Sequence, residues 1–382
     1  MSFTALAVVG AAALIGPLLA LRRGWQLPVL LGELAAGILL GRTGIGYLHS
    51  HDATFTMLGD IGFALVMFVA GSHVPVRGKQ LRPALRIGIV RAGVVGVVAT
   101  GLAVVLAAAF GTGHPALYAV VMASSSAALI LPIVDSLGLS AGPVLQLLPQ
   151  VAIADTVCIV ALPLAIDPKH AARAAAGAAA VAVVAVVSFL AYRELERRGL
   201  RKRLHDVSEE RKFALELRIN LVVLFALAGL AVATHISIML AGFAFGLAVA
   251  GVGEPRRLAR QLFALTEGFF GPLFFVWLGA SLNLRELGSH PRFALLGIAL
   301  GLGAILSHGV ARFTGQPLSI GLLAAAQLGV PVAATTIGAQ TGVLSPGESG
   351  ALLLGALVTI AFAVVGGGRA ASEQSRATAE HS

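Results

Sequence analysis

The sequence holds little charge and almost no cysteine. Asp, Glu, Lys and Arg together supply 12% of its 382 residues, whereas 57% are hydrophobic and the mean hydropathy is +0.91. So few charges cannot clothe a soluble domain of this size, and so much apolar surface cannot be hidden in one core, which leaves lipid as the solvent. Cys158 is the single cysteine and lies in an apolar stretch, so an intrachain disulfide is excluded and the residue reads as small packing. Also missing are a phosphate-binding glycine loop, a dinucleotide fingerprint, a nucleophile elbow and the ligand spacing of a zinc site. Covalent chemistry on a bound substrate is not expected, and neither is a cofactor.

What the chain has instead is a succession of apolar runs, most of them near the ~18 residues that a hydrocarbon layer demands of a helix. Thirteen spans are expected, over about 3–21, 27–41, 54–74, 84–110, 114–137, 143–166, 171–192, 213–235, 236–252, 260–283, 291–313, 317–342 and 345–366. The second and ninth are short. The first has no basic segment before it and no small-residue cleavage site leading to a soluble domain, so it is expected to stay in the mature protein.

The net charge of +9 could suggest a nucleic-acid partner, but its distribution argues for a membrane. Of the 27 Lys and Arg, 20 fall in loops after odd-numbered spans or in the C-terminal tail, and only five in loops after even-numbered spans. That bias predicts a multi-pass bacterial inner-membrane protein with its N-terminus outside and its C-terminus in the cytoplasm. The basic run from Arg193 to Lys212, interspersed with Glu194, Glu196, Glu209 and Glu210, reads as a cytoplasmic loop facing anionic lipid. It lacks the aromatic interleaving of a nucleic-acid module.

Thirteen spans divide into two halves around that basic loop. Residues 1–170 would form a first six-helix repeat, 171–212 a linker helix and loop, 213–368 a second repeat, and 369–382 a short cytoplasmic tail. An odd number of intervening helices makes the repeats inverted in the membrane. The fifth helices should then correspond, and each is apolar but interrupted. One reads Ala123-Ser124-Ser125-Ser126-Ala127-Ala128-Leu129-Ile130-Leu131-Pro132, the other Gln327-Leu328-Gly329-Val330-Pro331-Val332-Ala333-Ala334-Thr335-Thr336. Helix breaks at Pro132 and Pro331, at matching places in inverted halves, point to a transporter's midplane site, where unwound backbone coordinates ions. A fainter echo links Asp60-Ile61-Gly62-Phe63 and Phe68-Val69-Ala70-Gly71 with Glu267-Gly268-Phe269-Phe270 and Phe275-Val276-Trp277-Leu278-Gly279.

Ionisable groups inside spans are expensive, so each is a candidate functional group. Asp155 lies near the middle of the sixth span, with Thr156 as a neighbouring oxygen donor. A carboxylate in such surroundings is neutral with a proton and anionic while it holds a cation, and it accepts one or the other in turn. The alternative is a structural partner for a Ser or Thr of another helix. Glu33 sits among small residues suited to close helix packing and reads as interfacial, structural or charge-compensating. Asp60 and Glu267 read as gate or surface residues, and Glu348 as a carboxylate opening a helix. His308, beside Ser307, suits pH sensing or charge compensation, with a packing histidine as the alternative. His49-Ser50-His51 lacks further ligands for a metal.

The run Leu27-Pro28-Val29-Leu30-Leu31-Gly32-Glu33-Leu34-Ala35-Ala36-Gly37-Ile38-Leu39-Leu40-Gly41, then Phe68-Val69-Ala70-Gly71, Ser124, Ser125 and Ser126, Ala154-Asp155, and Pro272-Leu273-Phe274-Phe275-Val276-Trp277-Leu278-Gly279, resembles Kef-type and NapA-type cation:proton antiporters in order and nearly end to end. The resemblance implies an all-α membrane protein with thirteen helices, a core domain built around two crossing broken helices, and a separate domain that makes a homodimer. It implies exchange of Na⁺, K⁺ or Li⁺ for H⁺ by elevator-like alternating access, with Asp155 as carrier and Ser124, Ser125, Ser126 and Thr156 as helpers. The chain departs from the pattern at Ala154, where relatives carry a second polar residue, at Ser72-His73, where many have an acid, and at Ser307 or His308, where some have lysine. It stops soon after the last span, without the nucleotide-binding domain of many potassium-efflux members, so ligand gating of that type is not expected. A channel, a solute symporter or a transport-inactive sensor remain the alternative readings.

Overall fold

A computed structural model describes residues 1–20, 29–72, 81–139, 142–168, 171–199, 213–234, 236–253, 256–282 and 284–380. His73, His235 and the basic stretch 200–212 lie outside the described residues. Every element among the described residues is helical. The first half comprises α1 (Phe3–Ala13), α2 (Ile15–Ala20), α3 (Val29–Leu40), α4 (Ala53–Ser72), α5 (Leu81–Phe110), α6 (Pro115–Ala123), α7 (Ala127–Ser136) and α8 (Gly142–Ile166). The linker helix α9 (Ala171–Arg197) follows. The second half comprises α10 (Leu215–Ala233), α11 (Ile238–Val252), α12 (Arg256–Leu265), α13 (Gly271–Ser281), α14 (Leu284–Ser289), α15 (Pro291–Gly309), α16 (Leu318–Ala324), α17 (Gly329–Thr341) and α18 (Glu348–Glu380). A π-turn at Thr266–Phe270 joins α12 to α13. Each of the thirteen expected spans corresponds to one of these helices or to a helix pair. Nine stretches are long and apolar enough to cross a membrane and four are shorter apolar helices, among the described residues.

The halves are inverted repeats, and their seams show it. α3 packs on α13, and its counterpart α11 packs on α4. Both seams are glycine to glycine. A Cβ on Gly279 of α13 would lie 2.9 Å from the Cα of Gly37 on α3, and a Cβ on Gly71 of α4 would lie 3.1 Å from the Cα of Gly246 on α11. Gly71 and Gly279 are the residues that end the two echoed third-helix motifs, so the faint sequence repeat records one packing solution used twice. Lipid gives helices no hydrophobic reason to associate, and backbone-to-backbone approach through small residues supplies the contact instead.

The helices sort into two groups. α5, α6, α8, α15, α16 and α18 pack on one another around the broken helices, while α3, α4, α10, α11 and α13 form a second assembly flanked by α9. Peripheral faces present apolar side chains such as Val97 and Val104 on α5, Val183 and Val187 on α9, and Val222 on α10, as lipid requires. The stretch 318–338, by contrast, is almost wholly enclosed by protein.

Two expectations are corrected. The helix breaks are not at the prolines. α6 stops at Ala123 and α7 resumes at Ala127, leaving the three serines between them, and Pro132 lies inside α7. The second interruption separates Ala324 from Gly329, and Pro331 is the third residue of α17. A proline in the first turn of a helix lacks only an N–H that would have no partner there, whereas serine side chains compete for backbone hydrogen bonds. Ser124 Oγ donates to Val121 O at 2.7 Å, and Ser124 itself is extended, with ψ 153°. The last helix also continues past residue 366 to Glu380, through the stretch expected to be a tail. Ser319 Oγ donates to Glu373 Oε2 at 2.7 Å and ties that extension to α16.

Candidate functional site

The two breaks meet. Ser125 Oγ, in the first, donates to Ala324 O, at the edge of the second, at 2.7 Å across 199 residues of sequence. Ser124, Ser125 and Ser126 are all buried, as are Ala325, Ala326, Gln327 and Leu328. Interrupted backbone is tolerated at this depth only because protein surrounds it.

Asp155 lies under the first break. It is 1% exposed, and its Oδ2 accepts a hydrogen bond from the N–H of Ala127, the first residue of α7, at 3.2 Å. A helix N-terminus presents unsatisfied N–H groups and partial positive charge, and the carboxylate of Asp155 faces one. No cation pairs with Asp155 among the described residues. Ser126 Oγ, next to Ala127, is buried with no partner among the described residues. Ser125 and Ser124 direct their protons to Ala324 O and Val121 O, and Thr156 Oγ1 donates to Ala152 O at 2.7 Å, one turn back on its own helix. A hydroxyl engaged in this way keeps its lone pairs, so it can still act as an oxygen ligand. Of the four helper hydroxyls, only Ser126 has an uncommitted proton.

His308, fully buried, places Nε2 3.2 Å from Ser124 O. A carbonyl only accepts, so Nε2 carries the proton and the ring braces the first break from α15. Its Nδ1 has no partner among the described residues. At the second break the corresponding brace is Thr359 of α18, whose Oγ1 accepts from Gln327 N at 3.2 Å. α8 and α18 are the sixth helices of their repeats, so Asp155 and Thr359 do the same job: each accepts a backbone N–H from a broken helix. One half uses a carboxylate and the other a neutral hydroxyl. Nothing in the sequence around Thr359 marks it; the correspondence becomes visible only once the breaks are located.

Two cavities flank the crossing, both at the boundary between the helix groups. One, of about 370 Å³, is lined by α1, α3, Glu33, Glu267, Pro272 and Ala128 of α7. The other, of about 400 Å³, is lined by Asp60, Phe63, Ser237, Trp277, Val332 and Thr336. They are related by the repeat: each lies against the second half of a broken helix, and the echoed third-helix acids Glu267 and Asp60 stand one in each. Glu33, expected at an interface or in a structural role, and Asp60, expected as a gate or surface residue, both line cavities.

Glu348, expected to cap a helix, does more than that. It is fully buried and gathers Tyr118 OH at 2.7 Å, His114 Nδ1 at 2.8 Å and the N–H of Ser345 at 2.9 Å. This network fastens the start of α6 to the start of α18. Glu348 was visible in the sequence as a helix start, but its burial was not. No group of three or more His, Cys, Asp or Glu arranged to hold a metal occurs among the described residues, His49 and His51 included.

The profile of the sodium/hydrogen exchanger transmembrane family matches residues 10–369. The chain belongs to that family. This family member is 22% identical over 387 residues to a Bacillus subtilis (strain 168) protein named "Putative Na(+)/H(+) antiporter YjbQ", an alignment that takes in 94% of the chain but spans only 62% of the relative's length. Its fold is similar to that of the sodium proton antiporter MjNhaP1 from Methanocaldococcus jannaschii. A structure of that protein at pH 8 matches with a TM-score of 0.61 at 16% identity, covering 95% of both chains. A second, from electron microscopy, matches with a TM-score of 0.68 at 16% identity, covering 96% of this chain and 95% of the other. The family member is thus a multi-pass membrane protein, and its fold is similar to that of a solved sodium proton antiporter.

Proposed function

We propose that the protein exchanges a monovalent cation, Na⁺ or else K⁺ or Li⁺, for protons across the bacterial inner membrane, with Asp155 as the carrier of both. The observation that carries this reading is a buried carboxylate that, among the described residues, is held by a single hydrogen bond, from a backbone N–H at a helix break. Such a group needs a counter-charge, and a proton and a cation each supply one but exclude the other. Ser126 Oγ is the readiest additional ligand, with the oxygens of Ser124, Ser125 and Thr156 beside it.

The boundary position of the cavities supports alternating access. The group holding the breaks and Asp155 would slide against the group holding α3, α4, α11 and α13, opening the site first to one cavity and then to the other. The second group would make a homodimer, with lipid around it, the N-terminus outside and the basic loops in the cytoplasm. The narrower likeness to Kef-type and NapA-type members rests on the motifs around Glu33, Asp155 and Trp277. With Ala154 beside Asp155 and neutral Thr359 at the equivalent position of the other repeat, the site holds one acid, which favours one-for-one electroneutral exchange.

In inside-out vesicles, Na⁺, Li⁺ or K⁺ should dissipate a preformed proton gradient. Asp155→Asn should abolish the response while the purified protein keeps its size-exclusion profile and melting temperature. Undiminished exchange in that variant would refute Asp155 as carrier.

A further inference from the structure

We infer that Glu33 and Glu267 form a second cation station, an antechamber that takes up a monovalent cation before it reaches Asp155. This rests on the exchange reading above and assigns a role to a cavity that the carrier alone does not use. Glu33 is 4% exposed, lines the 370 Å³ cavity, and has no hydrogen-bond or ion-pair partner among the described residues. A carboxylate buried to that degree without a protein donor faces a desolvation cost that a counter-ion or proton relieves. Glu267 lines the same cavity, is exposed, and is near enough for the two charges to repel, so a cation held at Glu33 also eases that repulsion.

The backbone that delivers Glu267 is unusual. It belongs to the π-turn Thr266–Phe270, a single widened turn between α12 and α13, and such turns are frequent at functional sites. The cavity extends to Ala128, whose preceding residue Ala127 holds Asp155 by its N–H. The cavity that holds Glu33 therefore reaches the residue next to the one that holds the carrier. Water fits alongside an ion there, because a cavity of this volume holds many times the space one water needs. The repeat-related cavity carries Asp60 but no counterpart of Glu33 among its lining residues. The station is therefore one-sided, on the face from which α3 and α12 enter.

The test is cation-dependent proton movement in vesicles that present this face, with KM and Vmax measured separately. Glu33→Gln, nearly the same shape without the charge, should raise KM for Na⁺ about tenfold, with Vmax within about twofold of wild type. Glu33→Asp should stay near the wild-type KM. Glu267→Gln should raise KM by less, and the double variant should fall short of the sum of the two effects, as groups sharing one ion do. An unchanged KM in Glu33→Gln overturns the station. So does an equal loss of Vmax in Glu33→Gln and Glu33→Asp at constant KM, which marks a packing role. Should Glu33→Gln fail to fold, exposed Glu267 decides: an unchanged KM in Glu267→Gln overturns the pairing. A wild-type protein that moves no protons in response to any cation removes the exchange reading itself, whereas normal wild-type exchange with an unaltered Glu33→Gln removes only this one.

Discussion

At the scale of residues, the crossing is held by a few hydrogen bonds that each join a break to an unbroken helix. His308 illustrates their importance. Its Nε2–H donates to Ser124 O, and no other side-chain donor to that carbonyl is found among the described residues. His308→Ala leaves the carbonyl without that bond and opens space beside it, so it should destabilise the protein by about 1–3 kcal/mol, the cost of stranding a buried polar group. His308→Gln places an amide N–H within similar reach and should recover most of the loss. Thermal unfolding in detergent measures both, and equal melting temperatures for the Ala and Gln variants would refute the bracing role. Asp155 was legible from sequence because a charge stands out in an apolar run. Thr359 was not, because a hydroxyl is unremarkable in a membrane helix until its partner is known, and Ser126 was legible only as one of three adjacent serines, its uncommitted hydroxyl becoming visible with the hydrogen bonds. Glu33 was legible as an acid but not as a cavity residue, since burial depends on how α1 and α13 close over α3.

Elements were the most readable level and also the one where detail was misjudged. Apolar length alone located all thirteen spans, because a hydrocarbon layer sets a length that sequence must meet. The breaks were read correctly as matched interruptions but were assigned to prolines. Proline is a visible break signal, whereas the real interruptions depend on serine hydroxyls in one helix and on Ala325, Ala326 and Gln327 in the other. The last helix outran its apolar segment because the hydrophobic pattern ends at the membrane while the hydrogen-bonded helix has no reason to stop there. Seams between elements make a sharper prediction. Gly279→Val introduces a side chain where the backbone of α3 already sits, so α13 and α3 must part and the cost is about 1–3 kcal/mol or more. Gly101, on the outer face of α5, has nothing within 4 Å of the place a Cβ would occupy, so Gly101→Ala should leave the melting temperature unchanged. By the inverted repeat, Gly71→Val should match Gly279→Val. A Gly279→Val protein as stable as Gly101→Ala would show that the close approach does not hold the halves together.

For the whole molecule, orientation is governed by charge rather than packing, since an inverted repeat is by construction nearly indifferent to which way it faces. The bias of 20 Lys and Arg against five between the two sets of loops breaks that indifference. It matters for mechanism: the orientation proposed from it would put the Glu33 and Glu267 cavity on the cytoplasmic side and the Asp60 cavity on the outer side. Cys158 makes the orientation easy to test, because it is the only cysteine and is buried within α8, so a membrane-impermeant maleimide should leave the parent protein unlabelled. His49→Cys, exposed between α3 and α4, and Arg198→Cys, exposed beyond α9, lie on opposite faces by helix count. In intact cells the reagent should label His49→Cys and spare Arg198→Cys, and in inside-out vesicles the preference should reverse. The opposite pattern would turn the molecule over, and with it the side from which the two-acid cavity takes its cation. Labelling of both variants from one side would require an even number of crossings between residues 49 and 198, which the helices α4, α5, the α6–α7 pair, α8 and α9 do not allow.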